Sequence, residues 1–508
     1  MSGTVYLVGG GPGDLDLLTC KAYRLIKEAD CIVYDRLIDP KILEKAKENC
    51  ECIYVGKENH NHSMKQEDIN QLLVEKAYIY KTVVRLKGGD VYVFGRGGEE
   101  ALYLREHQIL FEIVPGISSA IAGLSYAGIP ITHRGIAGGF HVVTAHNKSD
   151  ELAEIDFHAM AKSEDTCVFL MGLTKLTEIV SHLIEAGKAG DTEIAVIANA
   201  TLPTQQVLTS TLAHVIGEFE QHPLSSPALI VVGRVVALRD RLNFQEEKPL
   251  FGVKILLSKV GHTASAIGER LQALGALVCE VQTGLLQENR EALDSIVYEE
   301  YTHIIVTSKN AVHYFMNSLH KNKIDVRTLH AITFVAIGPA TRACLEEYGI
   351  YHAIAPQIYH QDALLACLQE QLQPNHHILF PKVAPLNEEG MALEQALEKI
   401  CPVKVVALYE NIPVEKSELK KQIEQYASIP LTKEMLVYTC SSSVRRSIEI
   451  VRQVQEISCA QIFSIGDKTS ETLRTYGVDA IIQSRHATLD SLFDTIKEQA
   501  EYTQKRKA

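Results

Sequence analysis

Glycine-rich loops in the first half of the chain have the composition of a small-molecule site. The first loop, residues 9–14, reads Gly-Gly-Gly-Pro-Gly-Asp and follows the apolar run at residues 5–8. Glycine lets a backbone adopt positive φ and approach a ligand closely. A dinucleotide-binding turn would need a third glycine where Asp14 stands, so the spacing argues against a nicotinamide site, even though Asp35 ends the next predicted strand. A purely structural turn remains the alternative for this loop alone.

Two further segments repeat the strand–glycine loop pattern. Residues 85–100 read Arg-Leu-Lys-Gly-Gly-Asp-Val-Tyr-Val-Phe-Gly-Arg-Gly-Gly-Glu-Glu, and residues 114–120 read Val-Pro-Gly-Ile-Ser-Ser-Ala. Several such loops in one half of a chain indicate a ligand site built largely from backbone groups, and make a single structural turn a weaker explanation.

The second half of the chain contains an internal repeat of polar loops. Residues 303–312 parallel residues 435–444, and further along residues 336–341 parallel residues 464–469. In each copy, a strand-like apolar run is followed by small hydroxyl or amide side chains and then by a helical pattern. Two similar strand–loop–helix units predict a bilobed fold with a cleft between the lobes.

Short apolar runs alternate with helical patterns along the whole chain, which predicts an α/β fold for both halves. The runs are rich in Val and Ile and are bounded by Gly, Asp or Ser, which is typical of buried parallel strands. They lie at residues 31–34, 82–86, 167–171, 194–198, 229–232, 253–257, 303–306 and 334–337.

A polar segment that ends in proline separates the two halves. Residues 239–244 close the last periodic segment of the first half, and residues 245–249 read Gln-Glu-Glu-Lys-Pro. We therefore predict a first unit over residues 1–244, a linker over 245–250 and a second unit over 251–508.

The composition excludes several classes of protein. The 508 residues are 46% hydrophobic and carry a net charge of −13, which disfavours nucleic-acid-binding and membrane-surface proteins because these carry a basic excess. The eleven cysteines are scattered, and only Cys50 and Cys52 are close, which is typical of reduced thiols without a metal site. No leader-like segment and no apolar run of membrane-spanning length is visible, so we expect a cytoplasmic protein.

The first half resembles the tetrapyrrole methylase superfamily over roughly residues 3–244. The Arg-Leu-Lys-Gly-Gly-Asp and Phe-Gly-Arg-Gly-Gly-Glu-Glu strings are similar to those of its uroporphyrinogen-III C-methyltransferase branch. The resemblance implies a two-lobed α/β fold with lobes at about 1–115 and 116–244. Besides the three glycine loops, the matching motifs lie at residues 34–37, 55–57, 168–172, 199–201 and 227–233.

The resemblance implies S-adenosylmethionine as the methyl donor, bound between the two lobes, and no metal. Glycine loops would supply backbone donors and acceptors, Asp90 would meet a ribose hydroxyl or the amino group, and Met171 would offer a polarizable apolar wall. An ordinary core methionine is the alternative for Met171. The implied donor site comprises Pro12, Gly88, Gly89, Asp90, Val93, Ser118, Ser119, Met171, Ala200 and Ala228.

Methyl transfer from a sulfonium to a pyrrole carbon depends on alignment, and the ring must then lose a proton. By resemblance, Asp35 is the proton acceptor and Lys57 the proton donor. Guanidinium forks suit the many carboxylates of the substrate. The candidate clamps, any of which could instead lie on a solvated face or in an internal ion pair, are Arg36, Arg85, Lys87, Arg96 and Arg134, with His62 as a further candidate.

Five positions in the first half depart from the usual pattern of this superfamily, and two of them, Glu58 and His60, lie in the loop after Lys57. Val91 stands where proline normally follows Gly-Gly-Asp, while Ala145 and Ala200 replace usual glycines. We expect these residues to narrow or stiffen the loops near the donor.

The second half resembles uroporphyrinogen-III synthase over about residues 251–508. The resemblance implies a bilobed α/β fold, with lobes at about 251–285 plus 411–508 and about 286–410, and the cyclisation of hydroxymethylbilane with loss of water. The matching motifs lie at residues 253–258, 271–275, 307–312, 337–341, 378–382, 408–410 and 464–469.

Hydroxyl and amide side chains at helix N-termini would bind the substrate carboxylates across this cleft. Simple helix capping is the alternative. Tyr409 matches the position of the family's candidate proton donor, with a strand-end aromatic as the alternative, and Lys382 stands where arginine is common. By resemblance, the facing residues are Ser308, Lys309, Asn310 and Thr341 on one lobe and Ser441, Ser442 and Thr469 on the other.

Together, the two resemblances predict a bifunctional enzyme that cyclises hydroxymethylbilane and methylates uroporphyrinogen III at C2 and C7 to precorrin-2, toward cobalamin or sirohaem. The expected partners are small tetrapyrroles and a second copy of the chain, bound through the methylase, with no nucleic acid and no membrane. One alternative is a methylase of another tetrapyrrole. In another, the second half is a non-catalytic tetrapyrrole-binding or regulatory module.

Overall fold

The structure is a computed structural model, and it describes residues 2–56, 64–145, 151–261, 265–289, 291–356, 361–384, 388–456 and 460–505. Within these residues the chain is α/β throughout, as the alternation of apolar runs predicts, and its strands form three sheets. Among the helices of the described ranges, none combines the length and the apolarity needed to cross a bilayer.

The first sheet is entirely parallel and has the strand order β3-β2-β4-β1-β5. Because all of its strands run in one direction, the loops after β1, β4 and β5 leave from the same edge, and these are the three glycine loops. The elements are β1 Thr4–Gly9, α1 Cys20–Glu28, β2 Cys31–Tyr34, α2 Pro40–Leu43, β3 Glu51–Tyr54, α3 Gln66–Ile79, β4 Thr82–Lys87, α4 Gly97–Glu106 and β5 Leu110–Val114.

The second sheet is mixed and has the order β6-β7-β10-β8-β9. Its elements are α5 Ser119–Tyr126, β6 Phe140–Thr144, α6 Phe157–Lys162, β7 Thr166–Leu170, α7 Leu176–Glu185, β8 Glu193–Ala198, β9 Gln206–Thr211, α8 Val215–Gln221, β10 Ala228–Val232 and α9 Arg239–Leu242.

The prediction of parallel strands is wrong for part of this second sheet. Strand β10 runs antiparallel to both β7 and β8, and β8 runs antiparallel to β9. Ile230, Val231 and Val232 are fully buried in β10, the central strand. A continuous apolar run reports burial on both faces of a strand, and it does not report the direction in which the strand runs.

The third sheet has nine strands in the order β14-β13-β15-β16-β12-β11-β17-β18-β19. Its first elements are β11 Val253–Val260, α10 Ala266–Ala273, β12 Leu277–Glu288, β13 His303–Val306, α11 Lys309–Lys321, β14 Thr333–Ala336, α12 Pro339–Glu347, α13 Gln361–Gln369, β15 Ile378–Ala384 and α14 Glu388–Glu398. The remaining elements are β16 Val403–Pro413, α15 Lys416–Ala427, β17 Lys433–Tyr438, α16 Ser441–Val454, β18 Gln461–Ser464, α17 Asp467–Thr475, β19 Ile481–Gln483 and α18 Leu489–Lys505.

Two long strands, β12 and β16, join two parallel half-sheets in this third sheet. Gly284–Glu288 pairs antiparallel with Tyr409–Pro413, whereas the neighbouring strands on either side are parallel to one another. Because the pairing uses the carboxyl ends of both strands, the carboxyl edges of the two half-sheets point toward each other. The helix N-termini that follow those edges therefore border a shared cleft.

The two copies of the repeat fold alike, as predicted. Helices α12 and α17 each start after a glycine, Gly338 or Gly466, and each ends at a Tyr-Gly turn. The turn glycines have positive φ, 84° and 71°. Such conformations favour glycine because it lacks a Cβ.

Polar side chains fix where several helices begin. The hydroxyls of Thr19, Ser118, Ser265 and Ser308 accept hydrogen bonds from backbone N–H groups in the first turns of α1, α5, α10 and α11. Each accepted bond satisfies one donor that the helix cannot pair internally. Helices then cover both faces of the sheets through separate clusters of buried apolar residues.

Candidate functional site

The three glycine loops meet backbone to backbone at the edge of the first sheet. The N–H of Gly89 donates to the carbonyl of Gly11 over 2.7 Å, and the N–H of Gly11 donates to that of Gly89 over 3.2 Å. A Cβ on Gly9 would lie 2.5 Å from the backbone nitrogen of Gly116, and a Cβ on Gly116 would lie 2.2 Å from the oxygen of Gly89. Any side chain at Gly9 or Gly116 would push the loops apart, so the close approach requires glycine.

Asp90 ties the second glycine loop to the third. Its Oδ1 accepts from the N–H groups of Tyr92 and Val93 at 2.8 and 3.2 Å, and its Oδ2 accepts from the N–H of Gly116 at 3.1 Å. Both oxygens thus already have backbone donors, and the carboxylate orders the loops whether or not it also meets the predicted ribose or amino group.

The donor-site residues predicted on the second lobe come together at one end of the second sheet. Met171 follows β7, Ala228 begins β10 beside Ala198, and Ala200 follows β8. Met171 is 51% exposed and has a φ of 56°, so it is not a core methionine. Positive φ in non-glycine residues costs of the order of 1 kcal/mol or more and is concentrated at functional sites. Asn199, Thr201, Phe94 and Arg96 share it.

Three of the residues that depart from the superfamily pattern are packed, whereas Glu58 and His60 lie outside the described residues. Val91 and Ala145 are fully buried, and a Cβ on Gly97 would lie 2.3 Å from Cγ1 of Val91. A Cβ on Gly123 would lie 3.1 Å from Cβ of Ala200, so α5 already approaches that position closely.

Asp35 ends β2 beside a buried group of charges that we call the Glu100 cluster, formed by Asp35, Arg85, Lys87 and Glu100. Arg85 Nη2 lies 3.4 Å from Asp35 Oδ2, and Arg85 Nε lies 3.2 Å from Glu100 Oε1. Lys87 Nζ lies 2.8 Å from the same Glu100 oxygen. Burial and the charge of Arg85 lower the pKa of Lys87, against the raising effect of Glu100.

The structure gives Arg85 and Lys87 internal partners where substrate contact was predicted. Both side chains are buried, and Glu100 is fully buried. Asp35 Oδ1 and Glu100 Oε2 have no hydrogen-bond partner among the described residues. Lys57 and His62, the other predicted residues of this site, lie outside the described residues.

Three predicted arginines remain accessible. Arg96 forms a two-bond ion pair with the exposed Glu99 at 2.9 and 2.7 Å, and Arg36 is exposed just after Asp35. Arg134 is exposed in the turn that His133 and Ala137 close.

Tyr409 lies in β16, buried in the apolar core of its lobe, and its hydroxyl contacts the residue that caps α11. Its hydroxyl lies 3.1 Å from Ser308 Oγ, which also accepts from the N–H of Ala311 at the start of α11. Tyr409 is 5% exposed, and its ring lies 4.8 Å from that of Tyr314. Burial raises the pKa of Tyr409, so the phenol keeps its proton.

Arg446 of α16 forms hydrogen bonds to both β12 and β16, the two strands that join the half-sheets. Its Nη1 donates to Asn411 Oδ1 over 2.8 Å and to the carbonyl of Thr283 over 3.2 Å, and its Nη2 donates to the carbonyl of Asn411 over 2.8 Å. A Cβ on Gly284 would lie 2.1 Å from Nη1. The sequence alone did not identify Arg446, and the only signal was a glycine inside a strand, which often marks a close approach.

The predicted cleft residues divide by burial. Ser308, Ser441 and Ser442 are half-buried at helix starts, and Lys309 and Asn310 are exposed. The side chains of the other three are buried, and their predicted contact with substrate stays a prediction. These are Thr341 and Thr469, in equivalent helices, and Lys382, which lies 3.0 Å from Glu394.

Known proteins match each half of the chain separately and also the whole. Residues 4–216 match the family described as tetrapyrrole (corrin/porphyrin) methylases, and residues 265–494 match uroporphyrinogen-III synthase HemD. The porphyrin biosynthesis protein HemD of Ruminiclostridium josui is 33% identical over 502 residues, which is 98% of this chain and 98% of that protein. The chain belongs to the family of fused tetrapyrrole methylases and uroporphyrinogen-III synthases.

Two further relatives of this fusion protein are methyltransferases. The uroporphyrinogen-III C-methyltransferase of Bacillus subtilis is 43% identical over 335 residues, covering 65% of this chain and 68% of that protein. That of Methanocaldococcus jannaschii is 48% identical over 242 residues, covering 47% of this chain and 99% of that protein. The fusion therefore places a whole methylase before a synthase in one bifunctional enzyme of tetrapyrrole biosynthesis.

Proposed function

We propose that residues 251–508 cyclise hydroxymethylbilane to uroporphyrinogen III, and that residues 1–244 methylate this product at C2 and C7 with S-adenosylmethionine, giving precorrin-2. The observation that carries the proposal is the convergence of three glycine loops beside Asp35. It occurs in the half of the chain that aligns with 99% of a uroporphyrinogen-III C-methyltransferase. The product of the second half is the substrate of the first, which supports two consecutive reactions.

The residues present fit an S-adenosylmethionine molecule. Polar atoms are available from the glycine loops and from the hydroxyls of Ser118 and Ser119, and apolar surface is available from the exposed side chains of Val93 and Met171. A molecule with an amino-acid end, a ribose and an adenine needs both kinds of surface. When bound, it supplies the methyl group as an electrophile.

The acceptor side depends on the charged residues around Asp35. Arg85 holds the Asp35 carboxylate through Oδ2, and this carboxylate accepts the proton that the pyrrole ring loses. Arg36 and Arg96 are exposed near the same sheet edge and bind substrate carboxylates as guanidinium forks.

In the synthase, Tyr409 donates the proton that the departing hydroxyl needs. Ser308 orients the phenol, and the raised pKa of Tyr409 keeps the proton in place until transfer. The N-termini of α11 and α16, on opposite sides of the cleft, present free N–H groups to the carboxylates of the linear tetrapyrrole.

We also infer a homodimer through the methylase half. Tyr78 and Ile79 at the end of α3, Leu102 on α4 and Leu110 on the edge strand β5 are each about two-thirds exposed. These elements pack against one another in the order α3, α4, β5. Large exposed apolar side chains on neighbouring elements are typical of a surface that a second copy covers.

The proposal is tested by anaerobic incubation of the full chain with hydroxymethylbilane, with and without S-adenosylmethionine, and identification of the products. We expect the type-III isomer without the donor and a dimethylated product with it. If only the spontaneous type-I isomer forms, the second half is not a synthase and is better explained as a binding or regulatory module. If type III forms but is never methylated, the methylase acts on another tetrapyrrole.

A further inference from the structure

A closed ring of hydrogen bonds joins the first glycine loop to the second lobe. The N–H of Asp14 donates to Thr201 Oγ1 over 3.1 Å, and the hydroxyl of Tyr126 donates to Asp14 Oδ2 over 2.8 Å. Gln205 completes the ring, because its Oε1 accepts from the N–H of Thr201 at 2.9 Å and its Nε2 donates to the carbonyl of Tyr126 over 3.1 Å. We call these four residues the interlobe clasp.

The second-lobe loop of the clasp is buried, and one of its residues has a costly backbone conformation. Thr201 and Gln205 are 2% and 4% exposed. Thr201 has a φ of 72°, which β-branched residues rarely adopt. A Cβ on Gly13 would lie 3.0 Å from Thr201 Oγ1, so the glycine loop touches the threonine directly. Strain of this kind persists only where the surroundings over-determine the conformation, as this ring does.

The clasp lies between the two sides of the proposed donor site. Pro12 is two residues from Asp14 on the first lobe, and Ala200 is adjacent to Thr201 on the second. Asp14 Oδ1 also accepts from the N–H of Asp16, so the carboxylate is fixed on its own lobe as well as across the gap. The distance between Pro12 and Ala200 is therefore set by hydrogen bonds within the protein, and contacts with a bound donor are not needed to set it.

We propose that the interlobe clasp sets the affinity of the methylase for its donor by holding the Pro12 and Ala200 sides of the site in the binding geometry before the donor arrives. Asp14, Tyr126, Thr201 and Gln205 are thus positioning residues. A preformed site binds more tightly because less ordering remains to be done on binding. The proposal rests on the proposed function, since it takes the ligand to be S-adenosylmethionine or its product.

The segment that leads to the synthase packs on the same clasp. The ring of Phe244 meets that of Tyr126 edge-on at 5.4 Å, and Arg239 Nη1 donates to the carbonyl of Ala127 over 2.7 Å. A Cβ on Gly128 would lie 2.7 Å from Asn243 Cα. The end of α5 is thus held between the donor loop and the start of the interdomain connection.

The test is the binding of S-adenosylhomocysteine to the full chain by isothermal titration calorimetry. Tyr126→Phe and Thr201→Val each remove one clasp hydrogen bond while keeping the shape of the side chain. We expect the dissociation constant to rise about fivefold to tenfold in each. Thr201→Ser keeps the acceptor oxygen and should stay within about twofold of the parent protein.

Ser125→Ala is the matched control. Ser125 precedes Tyr126 on α5, and its hydroxyl donates to the carbonyl of Ile121 one turn earlier and not to a clasp residue, so the loss of this hydroxyl leaves the ring intact. Methylation kinetics add a second readout. The KM for S-adenosylmethionine should rise in Tyr126→Phe, while the KM for uroporphyrinogen III stays within about twofold, a split that general destabilisation would not produce.

The possible outcomes separate the two proposals. If the parent chain binds no S-adenosylhomocysteine, the proposed donor site is wrong and the clasp with it. If the parent binds but Tyr126→Phe and Thr201→Val bind equally well, the clasp proposal alone is overturned. If circular dichroism shows that one of these two variants is unfolded, the affinity of the other is compared with that of its control, and this comparison tests the clasp proposal.

Discussion

At the scale of single residues, Glu100 of α4 is the shared carboxylate partner of the buried charges on the first sheet. It is fully buried, and its Oε1 accepts from Arg85, Lys87 and Gln66 at 3.2, 2.8 and 3.1 Å. Nothing in the sequence distinguishes Glu100 from its neighbour Glu99, which is exposed. The sequence therefore predicts cationic residues at 85 and 87 and leaves an internal ion pair open as their role, but it does not identify Glu100 as the partner.

Glu100→Gln should destabilise the protein strongly. The substitution leaves Arg85 and Lys87 buried with only Asp35 to balance them, and breaking a buried ion pair typically costs about 3 kcal/mol or more. We expect the free energy of unfolding of the first unit to fall by about that amount in chemical denaturation. Glu99→Gln, in the exposed pair with Arg96, should cost less than about 1 kcal/mol. Equal losses in the two variants would contradict the role given to Glu100.

Tyr409→Phe should lower synthase turnover with little loss of stability. The substitution removes the proposed proton donor and its hydrogen bond to Ser308, worth about 1 kcal/mol. Tyr314→Phe keeps the same ring pair and should leave the rate of type-III isomer formation unchanged. A Tyr409→Phe variant that works at the parent rate would exclude the proton-donor assignment.

The burial of Tyr409 determines how its contribution to stability depends on pH. Burial raises its pKa in the folded protein above the ordinary value of about 10, so folding favours the protonated phenol. Its contribution to stability is present below about pH 10 and is lost as pH rises through the folded pKa. We therefore expect the difference in tyrosinate absorbance between the parent and Tyr409→Phe, followed as pH rises, to show a tyrosine that ionises at a higher pH than free tyrosine does. A normal titration would contradict this assignment.

At the scale of helices and strands, the positions of elements could be predicted better than their directions. The run at residues 31–34 is strand β2 with the same bounds, and the run at 303–306 is β13. The run at 229–232 lies within β10, whose antiparallel direction depends on partners far along the chain. Local apolar pattern reports burial, whereas strand direction follows from tertiary packing.

The same limit applies to the candidate sites. The glycine loops are contiguous in sequence and could be predicted, because their residue type is itself the signal. The interlobe clasp and the Arg446 contacts join residues that are distant in sequence, such as Asp14 with Tyr126 and Arg446 with Asn411. No local pattern marks such pairs.

Gly284→Ala should impair the synthase selectively. The new Cβ would lie 2.1 Å from Arg446 Nη1 and 2.4 Å from Asn411 Oδ1. This overlap would displace the guanidinium group from its hydrogen bonds with β12 and β16. Overpacking of this kind typically costs about 1–3 kcal/mol. We expect slower cyclisation, with methylation of added uroporphyrinogen III unchanged as the internal control. Adding Arg446→Ala should then cost little more, and a purely additive loss would contradict the mechanism.

At the scale of the whole molecule, the two halves have separate cores. Within the described ranges, no cluster of buried apolar residues combines the methylase with the synthase. The halves meet through polar contacts such as that of Lys41 Nζ with the carbonyl of Val278 at 2.8 Å. The lobes within each half also have separate clusters, but the interlobe clasp joins those of the methylase and the β12–β16 pairing joins those of the synthase. We therefore expect each half to unfold as one cooperative unit.

Differential scanning calorimetry should therefore resolve two transitions. S-adenosylhomocysteine binds the folded methylase in our proposal, and a ligand at one hundred times its dissociation constant stabilises its domain by about 2.7 kcal/mol. We expect the ligand to raise the midpoint of one transition and to leave the other unchanged. A single transition whose midpoint rises with the ligand would mean that the two halves unfold together as one cooperative unit, which would contradict the prediction.

The pairing of β12 with β16 in the third sheet also determines how the two lobes of the synthase are connected. Glu288 on β12 lies opposite Tyr409 on β16, so the chain enters and leaves the intervening lobe at neighbouring points. That lobe holds one copy of the repeat, while the other copy follows its exit. The intervening lobe is therefore an insertion in the topology of the other lobe, and among the described residues the backbone crosses between the two lobes only at this one place in the sheet.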